Sequence, residues 1–175
     1  MPLIPELLDW LGKARFFSKI DLRNAYNQIC IAEGNEWKTT FRTRYGLFEY
    51  RVMPFSLTNA PAMFQHLVNT TFSDMVDQFV VAYLDDILIY SETEEEHMGH
   101  IQKVLEHLCS ARLYARPEKC EFFSPSVDFL GYIVSRDGVR MDPDKLKAIA
   151  EWPVPLSVKQ VMLFLGFCNF YHQFI

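Results

Sequence analysis

The chain has 175 residues, 50% of them hydrophobic and 22% charged, so it is long enough to bury a core of its own. This composition excludes a disordered chain, and no apolar run approaches the roughly 18 residues that a membrane-spanning helix needs. The net charge of −5 argues weakly against a nucleic-acid partner, and residues 61–110 carry most of the excess, with nine Asp/Glu against one Lys/Arg.

The first half of the chain alternates between helical and strand-like patterns. Leucines spaced along one side predict a short amphipathic helix at the start, and alternating bulky and polar residues predict two half-buried strands of a hairpin. Asn59 precedes a helix with Pro61 in its first turn. The predicted elements are a helix over 5–13, a strand over 16–22, hairpin strands over 37–42 and 47–53 with a turn at 44–46, and a helix over 59–77 with Met63, Phe64, Leu67 and Val68 facing inward.

The second half begins with two short apolar strands separated only by Asp85 and Asp86, which is the length of a tight hairpin turn. Thr93 followed by Glu96 has the pattern of a capping box, which predicts the start of the next helix. The predicted elements are strands over 79–84 and 87–90, a helix over 93–113 with Ile101, Val104, Leu105 and Leu108 inward, strands over 121–124 and 127–135, a turn at 137–138, and helices over 142–152 and from 157 to the end.

The order of these elements predicts an α+β fold. If the 37–53 hairpin is an insertion, the remaining order is the ferredoxin-like βαββαβ plan, with 127–135 as its fourth strand. The first and third strands of this plan lie side by side at the centre of the sheet. Asp21, at the end of the first strand, is therefore expected to approach the hairpin tip that carries Asp85 and Asp86.

Three converging carboxylates repel one another unless a cation lies between them. Oxygen ligands suit hard ions, and Mg²⁺ accepts one or two carboxylates while leaving positions for substrate phosphates. Two such ions would align the attacking and leaving oxygens of a nucleotidyl transfer. Taken one at a time, each acid could equally be ordinary turn chemistry.

Five blocks, in this order and spacing, resemble a retroelement reverse transcriptase of the gypsy-type LTR retrotransposons: residues 17–23 (FSKIDLR), 37–41 (WKTTF), 53–61 (MPFSLTNAP), 83–91 (YLDDILIYS) and 129–132 (FLGY). The resemblance covers essentially the whole chain. It implies the palm of a right-hand polymerase with a remnant of the fingers over 1–135, and the start of the thumb or connection segment, with C-terminal helices, over 136–175. Most of the fingers and thumb, and the protease, ribonuclease H and integrase, are expected to lie outside this chain.

The resemblance implies an RNA-directed DNA polymerase in which Asp21, Asp85 and Asp86 are catalytic and bind two Mg²⁺ ions, with Mn²⁺ as a possible substitute. The carbonyl of Leu22 is implied as a further metal ligand. Tyr26 matches the aromatic steric gate, whose ring would exclude a 2′-hydroxyl so that the product is DNA. A tyrosine buried in the core is the alternative interpretation of Tyr26.

Further roles are carried over from the same resemblance. Nucleotide binding is implied for Tyr26, Phe55, Asn59 and Lys119, and contact with template or primer for Pro61, Gln65, Tyr83, Leu130 and Gly131. Lys119 would lie near the triphosphate and help to protonate the leaving group. The alternatives are helix-entry packing for Phe55, Asn59, Pro61 and Gln65, a solvated side chain for Lys119 and a simple strand bulge for Gly131.

The implied partners are an RNA or DNA template, a DNA or RNA primer and deoxynucleoside triphosphates, with no membrane. A second hypothesis is a catalytically inactive, retroelement-derived remnant that binds nucleic acid or protein. A ferredoxin-like RNA-binding module is disfavoured because the sheet edge is acidic. His97 and His100 could share a metal, although solvated side chains are the simpler interpretation.

Two remaining features bear on compartment and on activity. The four cysteines form no C-x-x-C pair and the N-terminus lacks a signal-peptide pattern, which favours reduced thiols and an intracellular, non-secreted protein. Ser56 stands where the family usually has glycine, and residues 169–174 lack two arginines that are frequent in the family. We expect a shifted nucleotide pocket and a weaker grip on the duplex from these departures.

Overall fold

The computed structural model describes Leu11 and residues 14–170, which form a mixed α+β structure with antiparallel sheets. The predicted helix over 5–13 lies outside the described residues except for Leu11. The strands are β1 (Phe16–Asp21), β2 (Phe41–Thr43), β3 (Gly46–Phe48), β4 (Val80–Tyr83), β5 (Asp86–Ser91), β6 (Glu121–Ser124), β7 (Ser126–Phe129), β8 (Tyr132–Ser135) and β9 (Gly138–Met141). The α-helices are α1 (Ala60–Thr71), α2 (Glu94–Ser110), α3 (Pro143–Ala150) and α4 (Val158–Phe170).

The central sheet has four strands in the order β4-β5-β1-β6, and all neighbouring strands in it are antiparallel. Its elements follow one another as β1, α1, β4, β5, α2 and β6, which is the predicted βαββαβ succession. The predicted fourth strand is wrong, because β6 takes that place. Residues 127–135 instead divide into β7 and β8, which form a separate three-stranded sheet with β9.

The division of 127–135 has a local cause. Leu130 and Gly131 have φ angles of 53° and 82°, so both central residues of this turn are left-handed. A two-residue hairpin turn with positive φ at both positions matches the right-handed twist of the flanking strands. Phe129 therefore pairs with Tyr132, and the chain reverses where the sequence predicts continuous strand. The next turn lies at 136–137, one residue earlier than predicted, and β9 follows it.

The two faces of the central sheet are buried in different ways, because successive strand residues point to opposite sides. Ile20, Ile87 and Ile89 point to the face covered by α1 and α2, and belong to the larger hydrophobic cluster. Phe17 and Leu88 point to the other face and pack with residues of β7, β8 and β9. The second face is covered only in part, since the side chains of Lys19 and Asp86 on it are 19% and 28% exposed and Tyr83 is partly buried.

A buried polar cluster joins α2 to the sheet. Ser18 and His97 are fully buried, and the Ser18 Oγ lies 2.8 Å from His97 Nε2. His97 Nδ1 lies 2.8 Å from the Ser91 Oγ, which in turn lies 2.7 Å from His100 Nδ1. The backbone N–H of Phe123 donates to the Ser18 Oγ at 3.1 Å. Both ring nitrogens of His97 are thus used within the fold, so the expectation of solvated histidines is wrong for His97.

Helix boundaries follow the capping residues where these bond the backbone. Thr93 accepts a hydrogen bond from the N–H of Glu96, as the capping box predicts, and Asp142 accepts one from the N–H of Asp144. Asn59 is the N-cap of α1, but its side chain makes no capping bond. Helix α1 ends at Thr71 rather than near 77, because its C-cap Phe72 leaves the helical conformation with a φ of −112° and the chain turns over residues 72–75.

Several side chains that the sequence places inside are exposed. Met63 is 47% exposed and Leu105 is 39% exposed, because each helix buries only a narrow stripe against the sheet. The hairpin predicted over 37–53 is shorter than expected, because residues 36–39 form a 3₁₀ turn instead of strand. The two strands of this hairpin, β2 and β3, are largely exposed rather than half-buried. No helix within Leu11 and 14–170 is both long enough and apolar enough to cross a membrane.

Candidate functional site

Two of the three predicted acids face each other across the central strands. Asp21 ends β1, Asp86 begins β5, and the two residues are direct partners in the antiparallel register. Direct partners point to the same face with Cβ atoms about 4.5–5.5 Å apart. Their carboxylates therefore share the partly covered face, away from α1 and α2. Asp85 is held alongside because its carbonyl accepts a 2.8 Å hydrogen bond from the N–H of Leu22.

Three basic side chains surround these acids. The Lys19 Nζ lies 3.2 Å from Asp86 Oδ1, the Arg116 Nε lies 3.4 Å from Asp21 Oδ1, and the Lys119 Nζ lies 3.7 Å from Asp21 Oδ2. Lys119 is 54% exposed, whereas the side chain of Asp21 is only 14% exposed. The basic groups offset the repulsion that converging carboxylates would otherwise feel.

Electrostatic strain remains at the site despite these cations. Burial raises the pKa of the Asp86 carboxyl, Lys19 lowers it, and Asp85 and Asp21 raise it further. The pKa of Tyr26 is raised as well, first by burial and then by the negative charge of Asp85 and by Tyr83. Both shifts mark a region where negative charge is held at a cost, as is common at functional sites.

The turn that carries Asp85 is strained. Tyr83 pairs with Asp86, so the two turn residues are Leu84 and Asp85 rather than the predicted Asp85 and Asp86. Leu84 has a φ of 53°, a conformation that glycine adopts easily and leucine does not. The side chain of Gln65, on α1, accepts a hydrogen bond from the Leu84 N–H at 2.7 Å and donates one to the Ala82 carbonyl at 3.1 Å.

An aromatic cluster lies next to the acids. The ring of Tyr26 meets Phe55 edge-on with centroids 5.2 Å apart, and a tilted Phe64 at 5.4 Å. Phe64 is fully buried and Phe55 is 79% exposed, so Tyr26 lies between the core and the surface. Asn59 and Pro61 lie at the exposed entry to α1, on the same segment as Phe55.

The remaining predicted residues share the second face of the sheet. Tyr83 and Leu130 are both partly buried and pack against the cluster that contains Leu88 and Phe129. Gly131 is exposed in the turn after β7, not within a strand. The structure thus places Tyr83 and Leu130 on the face that Asp21 and Asp86 occupy, while their contact with template or primer stays a prediction.

Open space lies beside Asp21. A cleft of about 430 Å³ is lined by Arg23, Asn24, Ala115, Arg116, Pro117 and Glu118. Backbone hydrogen bonds connect the segments that line it, from Arg23 N–H to the Tyr114 carbonyl and from Arg116 N–H to the Asp21 carbonyl. A larger cleft of about 1100 Å³ lies at the Phe16 end of β1, roughly 17–20 Å along the strand from the acids. The larger cleft is therefore not the one beside the paired acids.

The residues at this edge fit a hard divalent cation by type. All candidate ligands are oxygens, and the buried Asp21 Oδ1 has the 3.4 Å ion pair with Arg116 but no hydrogen bond. Within the part of the chain that the structure describes, no three His, Cys, Asp or Glu side chains are arranged ready to hold a metal ion. The carboxylates of Asp21 and Asp86 instead form ion pairs with Lys19, Arg116 and Lys119.

Comparison with known proteins decides the family. Residues 2–134 match the family model described as reverse transcriptase (RNA-dependent DNA polymerase). The chain belongs to the reverse transcriptase family. It is 42% identical over all 175 residues to the Retrovirus-related Pol polyprotein from transposon gypsy of Drosophila melanogaster, and 39% identical to the Transposon Tf2-3 polyprotein of Schizosaccharomyces pombe. It spans only 17% and 13% of the length of those polyproteins.

Solved reverse transcriptases share the fold. The foamy viral protease-reverse transcriptase dRH in complex with double-stranded DNA superposes with a TM-score of 0.87 at 25% identity, over 97% of this chain and 30% of that one. The same viral enzyme in complex with an RNA/DNA hybrid gives a TM-score of 0.80 at 25% identity, over 93% of this chain and 22% of that one. These findings confirm the family that the sequence blocks indicate.

Two basic residues of this candidate site, Lys19 and Arg116, are not among the residues that the sequence predicts for it. Lys19 lies two positions before Asp21 on β1, and residues i and i+2 of a strand share a face, so the sequence itself places Lys19 on the same face as Asp21. Its ion pair with Asp86, the partner of Asp21, follows from that placement. Arg116 reaches Asp21 only because β6 and the preceding 3₁₀ turn, Pro117–Lys119, lie beside β1. No local pattern indicates that placement.

Proposed function

We propose that this chain is the palm of an RNA-directed DNA polymerase, with residues 136–175 beginning the following segment. In this proposal it adds deoxynucleotides to the 3′-hydroxyl of a primer by phosphoryl transfer that depends on two divalent ions. The observation that carries the proposal is the direct pairing of Asp21 with Asp86, with Asp85 held alongside by Leu22. Membership of the reverse transcriptase family supports the same chemistry.

The three acids have the role of holding two Mg²⁺ ions, or Mn²⁺ in their place, with the Leu22 carbonyl as a further ligand. Bound divalent ions would align the 3′-hydroxyl with the triphosphate and neutralise the developing negative charge. The protein's own contribution is placement, since backbone pairing of β1 with β5 fixes where Asp21 and Asp86 stand. Fixed groups lower the cost of reaching the reactive geometry.

Basic residues at the site have a role in handling phosphate. Lys119 is close to Asp21 yet more than half exposed, so its Nζ can swing towards a leaving pyrophosphate and donate a proton to it. Arg23 and Arg116 line the adjacent cleft, which gives the triphosphate a cationic wall. Phe55 and Asn59 would contact the incoming nucleotide from the opposite side.

The proposed product is DNA. The ring of Tyr26 is held between Phe55 and Phe64, so it cannot easily move aside for a 2′-hydroxyl. The template–primer duplex would lie over the partly covered face, near Tyr83, Leu130 and Gly131, with Pro61 on the template side. The complexes of the foamy viral enzyme with an RNA/DNA hybrid and with double-stranded DNA support an RNA or DNA template as partner.

One observation favours the second candidate, a non-catalytic remnant that binds nucleic acid or protein. Asp21 and Asp86 are paired with Lys19, Arg116 and Lys119, and no three His, Cys, Asp or Glu side chains among the described residues form a ready metal cluster. A protein that had lost polymerisation could keep this arrangement as a plain network of ion pairs. The two candidates differ in whether the chain incorporates nucleotides.

Primer extension tests the proposal directly. The chain, and a longer form that includes the residues encoded upstream, would be assayed on an RNA template with a DNA primer and Mg²⁺. We expect incorporation of deoxynucleotides that is abolished by Asp85→Asn. Asp128→Asn is the matched control, because Asp128 is an exposed acid on β7, which belongs to the three-stranded sheet and not to the sheet that pairs Asp21 with Asp86.

Circular dichroism and thermal unfolding would accompany the assay to show that both variants fold. Extension that persists in Asp85→Asn would contradict the metal-binding role of that residue. Absence of incorporation in both forms of the unaltered chain would reject the polymerase proposal and leave the non-catalytic remnant.

A further inference from the structure

The side chain of Gln65 makes three hydrogen bonds, all within the chain. Its Oε1 accepts from the N–H of Leu84 at 2.7 Å, and its Nε2 donates to the Ala82 carbonyl at 3.1 Å and to Asn69 Oδ1 at 2.8 Å. An amide nitrogen carries only two hydrogens. Both donors of Gln65 are therefore engaged, which leaves none for a template strand.

Two of these bonds reach the acidic turn. Ala82 lies near the end of β4, and Leu84 is the first central residue of the turn. The Gln65 side chain therefore forms hydrogen bonds with the backbone on both sides of Tyr83. Leu84 has a φ of 53°, a strained conformation for a residue with a side chain that persists only where the surroundings hold it in place. The shorter of the two hydrogen bonds between Gln65 and the hairpin is the 2.7 Å bond from the Leu84 N–H.

We propose that Gln65 is a positioning residue that holds Leu84 in its left-handed conformation and thereby fixes Asp85 and Asp86 opposite Asp21. The inference rests on the proposed function, because it assigns Gln65 a role in placing the reacting groups. It replaces the expectation that Gln65 contacts template or primer. Helix α1 supplies the rigid support, since Phe64 beside Gln65 is fully buried in the core.

The residue type at position 84 explains why the turn needs a hydrogen bond from another element to hold it. Glycine is the usual residue at the first position of a hairpin turn with positive φ there, and this turn has leucine. Without the bond to Gln65, Leu84 is free to relax to negative φ. The carbonyl of Asp85 would then leave the N–H of Leu22, and the register at Asp21 and Asp86 would loosen.

The test uses Gln65→Met, which keeps the length of the side chain and removes all three hydrogen bonds. Asn69→Ala is the matched control, because it removes only the bond that does not reach the hairpin. Amide hydrogen exchange of the metal-free protein, followed by NMR, is the first readout. We expect Gln65→Met to speed exchange at the Leu84 amide by about tenfold or more, with the Ile87–Ile89 amides unchanged.

Steady-state primer extension is the second readout. A positioning role predicts that Gln65→Met lowers kcat by about tenfold while KM for the template–primer stays within about twofold. A template contact predicts the reverse pattern, with KM raised and kcat kept. Asn69→Ala is expected to match the unaltered chain in both readouts.

A second variant keeps the proposal testable if Gln65→Met folds poorly. Leu84→Gly allows positive φ without strain. In the double variant Gln65→Met/Leu84→Gly the turn should therefore keep its conformation without the hydrogen bond from Gln65. We expect the Asp86 and Ile87 amide chemical shifts of this double variant to match those of Leu84→Gly alone.

The failures are distinguishable. Unchanged exchange at Leu84 in Gln65→Met, or a rise in KM without a fall in kcat, would overturn the positioning role. Absence of extension by the unaltered chain would contradict the proposed function, while the exchange data would still decide whether Gln65 holds the turn.

Discussion

Two polar clusters lie three residues apart on β1 and differ in almost every physical respect. Ser18 points towards α2, where it and His97 are fully buried and joined to Ser91 by hydrogen bonds of 2.8 Å. Asp21 points to the opposite face, where its Oδ1 is buried without a hydrogen bond and its neighbours are ion pairs of 3.4 and 3.7 Å.

The difference predicts which polar cluster serves the stability of the fold and which serves the proposed chemistry. In the Ser18 cluster every group is neutral and partnered, so burial is compensated and the cluster fixes how α2 sits on the sheet. In the Asp21 cluster the groups are charged, close together and incompletely partnered, which leaves capacity to bind something else. Substitutions in the first cluster should change stability, and substitutions in the second should change chemistry.

The largest expected effect is on catalysis. Asp86→Asn should reduce primer extension by roughly 10³-fold or more, since a ligand to divalent ions is worth several kcal/mol and each 1.36 kcal/mol is a factor of ten. It should not lower the melting temperature, because the raised pKa of Asp86 means that its charge is held unfavourably in the fold. Rates of primer extension and thermal unfolding, measured on the same variant, would check both expectations. A large loss of stability in Asp86→Asn would contradict the distinction between the Asp21 cluster and the Ser18 cluster.

The next effect is on stability. His97→Ala should cost about 3 kcal/mol, because it removes a buried ring and leaves the Ser18 and Ser91 hydroxyls unpartnered. His107→Ala is the control on the same helix. This partly exposed histidine makes a 3.6 Å ion pair with Asp74, a local 2.9 Å hydrogen bond to the Lys103 carbonyl and a tilted ring contact with Phe72, and its loss should cost less than about 1 kcal/mol. Urea unfolding would measure both, and equal costs would show that the buried cluster has no special role.

The pH dependence of stability should carry the signature of the same cluster. Burial, with a smaller contribution from His100, lowers the pKa of His97 from 6.5 to about 4. The unfolded chain therefore binds a proton at His97 before the folded one does, so stability is full above pH 6.5 and falls as the pH drops towards 4. The pKa of His100 is also lowered by burial, so it acts in the same direction.

Unfolding free energies at pH 7.5, 6 and 5 would measure this slope, and His97→Gln should make it shallower. The Asp86 carboxyl acts in the opposite sense, because its raised pKa makes its contribution to stability disappear as the pH rises through that pKa. A slope that His97→Gln leaves unchanged would show that the cluster is not its source.

The smallest effect concerns the charge balance at the acidic edge. Lys19→Gln removes the cation that lowers the pKa of Asp86, so that pKa should rise further. The acid limb of the pH profile of primer extension should then move to higher pH, with a stability change within about 0.5 kcal/mol for a partly exposed pair. Carbon-13 NMR of the Asp86 carboxyl provides an independent check, and an unshifted titration would indicate that Lys19 does not set the charge state.

The parts of this fold that sequence predicts well are those with a local cause. The strand predicted over 16–22 corresponds to β1, the short apolar run over 87–90 lies within β5, and the Thr93 capping box locates the start of α2. The convergence of Asp21 with Asp86 follows from the order of the elements, because the first and third strands of the βαββαβ plan are neighbours. The five sequence blocks indicate the family, and the comparisons confirm it.

The parts that sequence misses depend on contacts between distant residues or on unfavourable local conformations. The turn at Leu130 and Gly131 is hidden because leucine is not a typical residue for positive φ, so two strands read as one. The burial of His97 depends on Ser18, which is 79 residues away. The pairing of Arg116 with Asp21 likewise exists only once β6 lies beside β1.

The backbone around Asp21 is fastened on both sides, by the Leu22 N–H to the Asp85 carbonyl and by the Arg116 N–H to the Asp21 carbonyl. None of these bonds involves a carboxylate. A descendant of this chain could therefore lose every acid at this edge and still inherit the same architecture. Retroelement copies that have lost these acids by substitution would keep the fold of a polymerase without its activity. The fold alone is therefore weak evidence of activity in this family.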